Sequence, residues 1–92
     1  MIFSFRCKDT EALFKTGKSA VFLSILKSST RKLTLLEAAV TLEFLRSPLG
    51  NRLEALVEKR IGQHSIRIND PWRLCFVWTD EGAKDVEIVD YH

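Results

Sequence analysis

Residues 63–78 read QHSIRINDPWRLCFVW, and the way this stretch pairs with itself decides the fold. His64, Ile66 and Ile68 share one parity, and Leu74, Phe76 and Trp78 share another. Successive strand side chains point to opposite faces, so each set is one face of a strand. Setting Ile66 beside Leu74 and Ile68 beside Trp72 leaves Asn69, Asp70 and Pro71 as the connection, a length typical of a hairpin. Gln63, Ser65 and Arg67 then share the second face with Arg73, Cys75 and Val77. The same register puts Arg67 directly opposite Arg73. Like charges across a strand pair destabilise a sheet. A chain that keeps two guanidiniums there has an anion to bind or a carboxylate close by.

Toward the carboxy terminus, TDEGAK is a turn and DVEIV a further strand. Val86 and Ile88 belong on the core face with Leu74 and Phe76. Two registers allow this, with Arg73 opposite either Val89 or Tyr91. In both, Asp90, Tyr91 and His92 gather beside Arg73 and Arg67. Toward the amino terminus, RLEAL adds a short edge strand. Pro48 and Gly50 stop a helix whose apolar positions Leu33, Leu36, Val40 and Phe44 recur over residues 30–45. Residues 18–29 read as helix or as a packed loop. An earlier helix starts on an Asp9 or Thr10 cap and ends at Lys15, with Gly17 just past it. Residues 2–6 alternate as a first strand. The expectation is one α+β domain over residues 1–92, with an N-terminal strand and two helices packed on a curved antiparallel sheet.

Composition agrees with a small cored domain: 46% of the 92 residues are hydrophobic and the net charge is +2. Cys7 and Cys75 are too few for a disulfide framework and read as buried thiols of a reducing compartment. No secretory leader opens the chain, and AVFLSIL is far too short to span a membrane, so the expected location is cytoplasmic. Cys7, Cys75, His64 and His92 lack the close-pair spacing of a zinc site. No phosphate-cradling glycine loop or nucleophile elbow occurs. His64 has core parity and reads as a packing residue.

The chemistry-bearing residues are therefore those at the strand ends. Two arginines offer planar forks suited to phosphate. A histidine exchanges protons near neutrality, an aspartate accepts or orients a proton, and a tyrosine stacks or donates. Together they can cleave RNA without a metal. A base takes the ribose 2′-hydroxyl proton, the oxygen attacks the phosphate, arginine stabilises the added charge, and an acid protonates the leaving 5′-oxygen. The plainer alternative is a surface ion pair between Arg73 and Asp90, worth about 0–1 kcal/mol. Arg52, Lys59, Arg60 and Arg67 would draw an RNA backbone through counterion release.

The segments LFKTG, GNRLEAL, GQHSIRINDPWRLCFVW and the terminal VEIVDYH together resemble the HigB toxins of the RelE/ParE superfamily, including the GraT toxins. The resemblance runs over nearly the whole chain and is weakest at residues 20–29. It implies a RelE-like fold and a ribosome-dependent endoribonuclease that cuts mRNA in the decoding site, without metal or organic cofactor. It implies a HigA-like antitoxin with a helix-turn-helix domain, through which alone the complex meets operator DNA. Matched to the family's motif, the catalytic arginine is Arg73 and the C-terminal acid, aromatic and histidine are Asp90, Tyr91 and His92. Where some members carry a proton-transferring histidine, this chain has Glu54. Where some carry a lysine three residues later, it has Val57. Proton transfer is therefore left open among Glu54, Asp90 and His92. Two rival expectations are a gyrase-inhibiting toxin without nuclease activity and an inactive antitoxin-binding co-repressor.

Overall fold

The hairpin forms in the register that its apolar spacing predicts. His64 faces Phe76, Ser65 faces Cys75, Ile66 faces Leu74 and Arg67 faces Arg73. The structure is a computed structural model that describes residues 1–47 and 49–90, apart from the Leu49 side chain. Pro48, the expected helix breaker, lies outside the described residues. Four strands, β1 (Glu54–Ala55), β2 (His64–Arg67), β3 (Trp72–Thr79) and β4 (Gly82–Asp90), form one antiparallel sheet in sequence order. Two helices, α1 (Lys8–Thr16) and α2 (Leu26–Ala38), pack against it.

The core lies between the helices and one face of the sheet. Leu13 of α1, Leu33 and Leu36 of α2, and Leu45 meet Ile66, Leu74, Phe76 and Val86, all of them fully buried. Each such side chain contributes roughly 1.5–3 kcal/mol by leaving water. His64 is half-buried on this face and stacks on Phe76 with ring centroids 6.3 Å apart.

Of the two registers open for the last strand, the structure takes Arg73 opposite Val89, with Leu74 opposite Ile88 and Trp72 opposite Asp90. The ladder slips between Cys75 and Val77, where Cys75 pairs with Glu87 but Val77 with Lys84. Asp85 takes up the extra residue at a positive φ of 52°, as a β-bulge requires. The amino-terminal segment, expected as a first strand over residues 2–6, does not pair along β4 as a continuous strand. It docks parallel to β4 through two isolated bridges, Ile2 to Ala83 and Phe5 to Val86. The Ser4 hydroxyl takes the amide of Asp85 at 2.9 Å. Gly82, at φ 142°, lies so close to Met1 that a Cβ would run into the Met1 carbonyl oxygen.

Both helices depart from the sequence expectation at their ends. α1 starts at Lys8, with Cys7 as its N-cap and no side-chain cap. Thr10, expected as a cap, is instead fully buried, and its hydroxyl accepts the amide of Ile88 at 3.1 Å. α1 closes as expected on Gly17, at φ 74°, whose N–H donates to the Leu13 carbonyl. A 3₁₀ turn, Leu23–Ile25, leads straight into α2, which begins and ends earlier than residues 30–45. At Ala39 the backbone turns extended. There the Met1 ammonium donates to the Ala39 carbonyl at 3.1 Å, and the Ile2 amide donates to the Glu37 carboxylate at 2.7 Å. The chain start thus occupies the space a longer helix would need. Val40 is left 85% exposed and Leu45 takes the buried slot. RLEAL contributes only the two residues of β1 to the sheet.

Candidate active site

Strand alternation puts a polar row on the sheet face away from the helices. Glu54, Ser65, Cys75 and Glu87 are successive Cα partners across β1 to β4. Beside them runs a second row, Arg67, Arg73 and Val89. Ser65 and Cys75, at the centre of the first row, are both fully buried.

Arg73 is the centre of the candidate site. Its side chain is only 16% exposed, and Nη2 donates to Glu54 Oε1 at 3.4 Å. Its Nη1 is buried with no hydrogen-bond partner among the described residues. A buried cationic donor left unmatched is costly, and an anion beside it would supply the missing acceptor. The Ser65 hydroxyl, in the row beside it, is likewise buried without a partner among the described residues. Short β1 brings Glu54 to Arg73. Both bends around that strand use non-glycine residues in the left-handed region, Arg52 at φ 46° and Glu58 at φ 57°. Such backbone costs roughly 1–3 kcal/mol per residue and persists only where the surroundings enforce it.

The other sequence-predicted residues differ in partner and exposure. Arg67 stands across from Arg73, but its Nε donates to Asp70 Oδ1 at 3.1 Å, in the turn that closes the hairpin. That hydrogen bond and the Arg67 charge hold the Asp70 carboxyl below the usual carboxylate value, with Arg52 and Arg73 adding to the effect. Arg52 and Lys59 are exposed. Arg60 lies at the other end of the polar row. Its Nη1 donates to Glu87 Oε1 at 2.8 Å and to Gln63 Oε1 at 3.2 Å. It therefore braces the 3₁₀ turn Glu58–Arg60 against β4. Asp90 is exposed at the end of β4, opposite Trp72. Alternation gives Val89 the Arg73 face and Asp90 the Trp72 face. Tyr91 and His92 lie outside the described residues.

Parity alone places Ser65 and Cys75 on the arginine face, as found. The partnership of Glu87 with Arg60 has no such local sign beyond the parity Glu87 shares with Val89, which turns it to the same side. Cys7 and Cys75 both remain thiols, with no disulfide between them. Among the described residues no helix is long and apolar enough to cross a membrane.

Comparison with known proteins shows what the chain is similar to. A family profile described as "RelE-like toxin of type II toxin-antitoxin system HigB" matches residues 3–92. Toxin HigB-1 of Vibrio cholerae serotype O1 is 38% identical over 82 residues, covering 87% of this chain and 86% of that protein.

Proposed function

Because the chain belongs to the HigB-like family of RelE-like toxins from type II toxin–antitoxin systems, we propose that it is a ribosome-dependent endoribonuclease that cuts translated mRNA and so stops protein synthesis. A toxin of this type has an antitoxin as its partner. In this reading the antitoxin is HigA-like and supplies the complex's contact with operator DNA through a helix-turn-helix. The toxin acts as one domain, in the cytoplasm where translation occurs.

The observation that carries the reading is Arg73. It is a largely buried guanidinium, set across from a second arginine, with one nitrogen on a carboxylate and another unmatched among the described residues. In the reaction a ribose 2′-hydroxyl gives its proton to a base and its oxygen bonds to the neighbouring phosphorus. The bond from phosphorus to the 5′-oxygen then breaks, and that oxygen takes a proton from an acid. Products are a 2′,3′-cyclic phosphate and a free 5′-hydroxyl, with no redox change and no cofactor. Arg73 meets the extra negative charge on the phosphoryl oxygens. A donor so placed contributes on the order of 3–4 kcal/mol to the transition state. Glu54, in contact with Arg73, serves as base. His92 takes the remaining proton transfers and Tyr91 orients a base or a proton, while Asp90, on the Trp72 face of β4, orients His92 from the strand end. Arg52, Lys59 and Arg67 hold the strand and ribosomal RNA, with Arg60 at the edge. Positioning by the ribosome adds several kcal/mol that a small protein does not supply alone.

The test is mapping of mRNA 5′ ends in a translating extract with and without the protein. New ends within coding sequence, absent when translation is blocked, support the reading. Intact mRNA alongside growth arrest overturns it, and so does cutting that survives both Arg73→Ala and removal of residues 90–92.

A further inference from the structure

We propose that Lys32, flanked by Arg31 and Arg67, seats a second phosphate of the RNA strand, outside the linkage being cut. This rests on the reading of the protein as an RNA-cutting toxin and extends its site to α2, which nothing in the family resemblance assigned.

The seat begins with Asn51, which is fully buried. Its side-chain nitrogen donates to the Leu45 carbonyl at 3.2 Å and the Ser47 carbonyl at 3.5 Å. This fixes its amide oxygen, which accepts a hydrogen bond from the Lys32 ammonium. A surface lysine normally swings freely on a four-carbon stem. Here it is anchored to a buried amide, and among the described residues no carboxylate forms an ion pair with it. Its charged neighbours have the same sign. Partial burial, then the charges of Arg31 and Arg67, push the ammonium below the ordinary lysine value.

That cluster continues into the candidate active site. Arg67 lies across the hairpin from Arg73 and holds Asp70, which also feels Arg52 and Arg73. Asp70 and Glu54 are matched against Arg31, Lys32, Arg52, Arg67 and Arg73, so the strip stays positive. Beside it on α2 lies a cavity of about 370 Å³ lined by Arg31, Lys32, Thr34, Leu35 and Ala38. Leu35 and Ala38 offer an apolar floor for a ribose or base, and the two cations mark where its phosphate sits. An anchored ammonium, crowded by like charge and continuous with a phosphate-binding arginine pair, fits a polyanion running from one to the other. An acidic peptide of the antitoxin is the competing occupant; the arginine pair across the hairpin, which the cutting reading assigns to phosphate, favours RNA over it.

The experiment measures binding of the full chain to a labelled single-stranded RNA of about 12 nucleotides, across about 50–200 mM salt. The variants are Lys32→Gln, Arg31→Gln and Lys32→Arg. Each phosphate that a cation neutralises on a single strand contributes about 0.7 to the slope of log affinity against log salt. Lys32→Gln and Arg31→Gln are each expected to lower the slope by about that amount and weaken binding several-fold. Lys32→Arg keeps the charge and is expected to keep the slope. A slope unchanged in both glutamine variants overturns the proposal. So does a reduction shared by Lys32→Arg, which would make the residue structural, and so does weakened antitoxin binding with RNA binding intact. Failure of the cutting reading is separately visible. If mRNA stays whole in extract while the slope falls as expected, the phosphate seat stands and the nuclease assignment does not.

Discussion

Arg73→Met separates the charge of Arg73 from its bulk, because methionine keeps an unbranched apolar stem of similar length. Three contributions to stability change. Relief of the like-charge opposition to Arg67 across the hairpin stabilises by roughly 0.2–1 kcal/mol. Removal of a buried nitrogen that has no partner among the described residues stabilises by about 1–3 kcal/mol. Giving up the 3.4 Å ion pair with Glu54, whose side chain is 53% exposed, costs about 0–1 kcal/mol. The balance is a gain of about 1–2 kcal/mol. For a domain of this size each kcal/mol moves the melting temperature by about 4–8 °C, so the variant should melt about 4–16 °C higher. Over the same substitution, cutting should fall by about 10²–10³-fold, the usual reduction when an electrostatic donor leaves a phosphoryl or acyl site. Thermal melts by circular dichroism give the first quantity, and initial rates of mRNA cleavage in a translating extract give the second. A melting temperature that drops would mean that the guanidinium holds the sheet together. Cutting that persists in a stabilised variant would remove Arg73 from the chemistry.

Glu54→Gln should lower cutting by about 10²–10⁴-fold, the worth of a general base. It should change stability by under about 1 kcal/mol, and a rate within a few-fold of the parent would pass the proton transfer to another group. Thr10→Val keeps shape but leaves the buried Ile88 amide without its acceptor, at a cost of about 1–3 kcal/mol. Urea melts should show the drop, with Thr10→Ser recovering most of it, and a Val variant as stable as the parent would discount this tie between α1 and β4. The Asp70 carboxyl, held low by Arg67, stabilises the fold in full above its ordinary value of 3.8. That contribution fades as pH falls through the lower folded value. Carbon-detected NMR titration should therefore find Asp70 ionising below 3.8, and Arg67→Gln should move it back up. An Asp70 that titrates at the ordinary value in the parent chain would dissolve the pair in solution.

Much of the sheet is legible in residues 63–89 because a strand has a side-chain period of two. Once Ile66, Leu74 and Ile88 must share a face, few registers survive, and the opposition of Arg67 to Arg73 follows without any knowledge of the helices. α2 is less legible. Its apolar spacing runs on through Val40 and Phe44, yet the helix stops at Ala38, where the Met1 ammonium bonds the Ala39 carbonyl and the Ile2 amide the Glu37 carboxylate. Helical periodicity is a local signal and carries no account of a distant chain end. Arg60 shows the same limit at the site. As a residue in a basic run it reads as an RNA contact, and only the fold brings Glu87 to it from 27 positions away.

Residue order alone sets the pairing of β2 with β3 and the face on which the arginine couple stands, because side-chain alternation acts between near neighbours along the hairpin, while the register of β4 is left to the tertiary structure. The partners those side chains take are settled by packing in three dimensions. Thr10 meets Ile88, Lys32 meets Asn51 and Arg60 meets Glu87, each across a gap that depends on how helices and sheet pack as bodies. The difference is one of range. Backbone geometry repeats every few residues and is written locally, whereas a meeting of distant elements depends on the shape of the whole core and has no period to betray it.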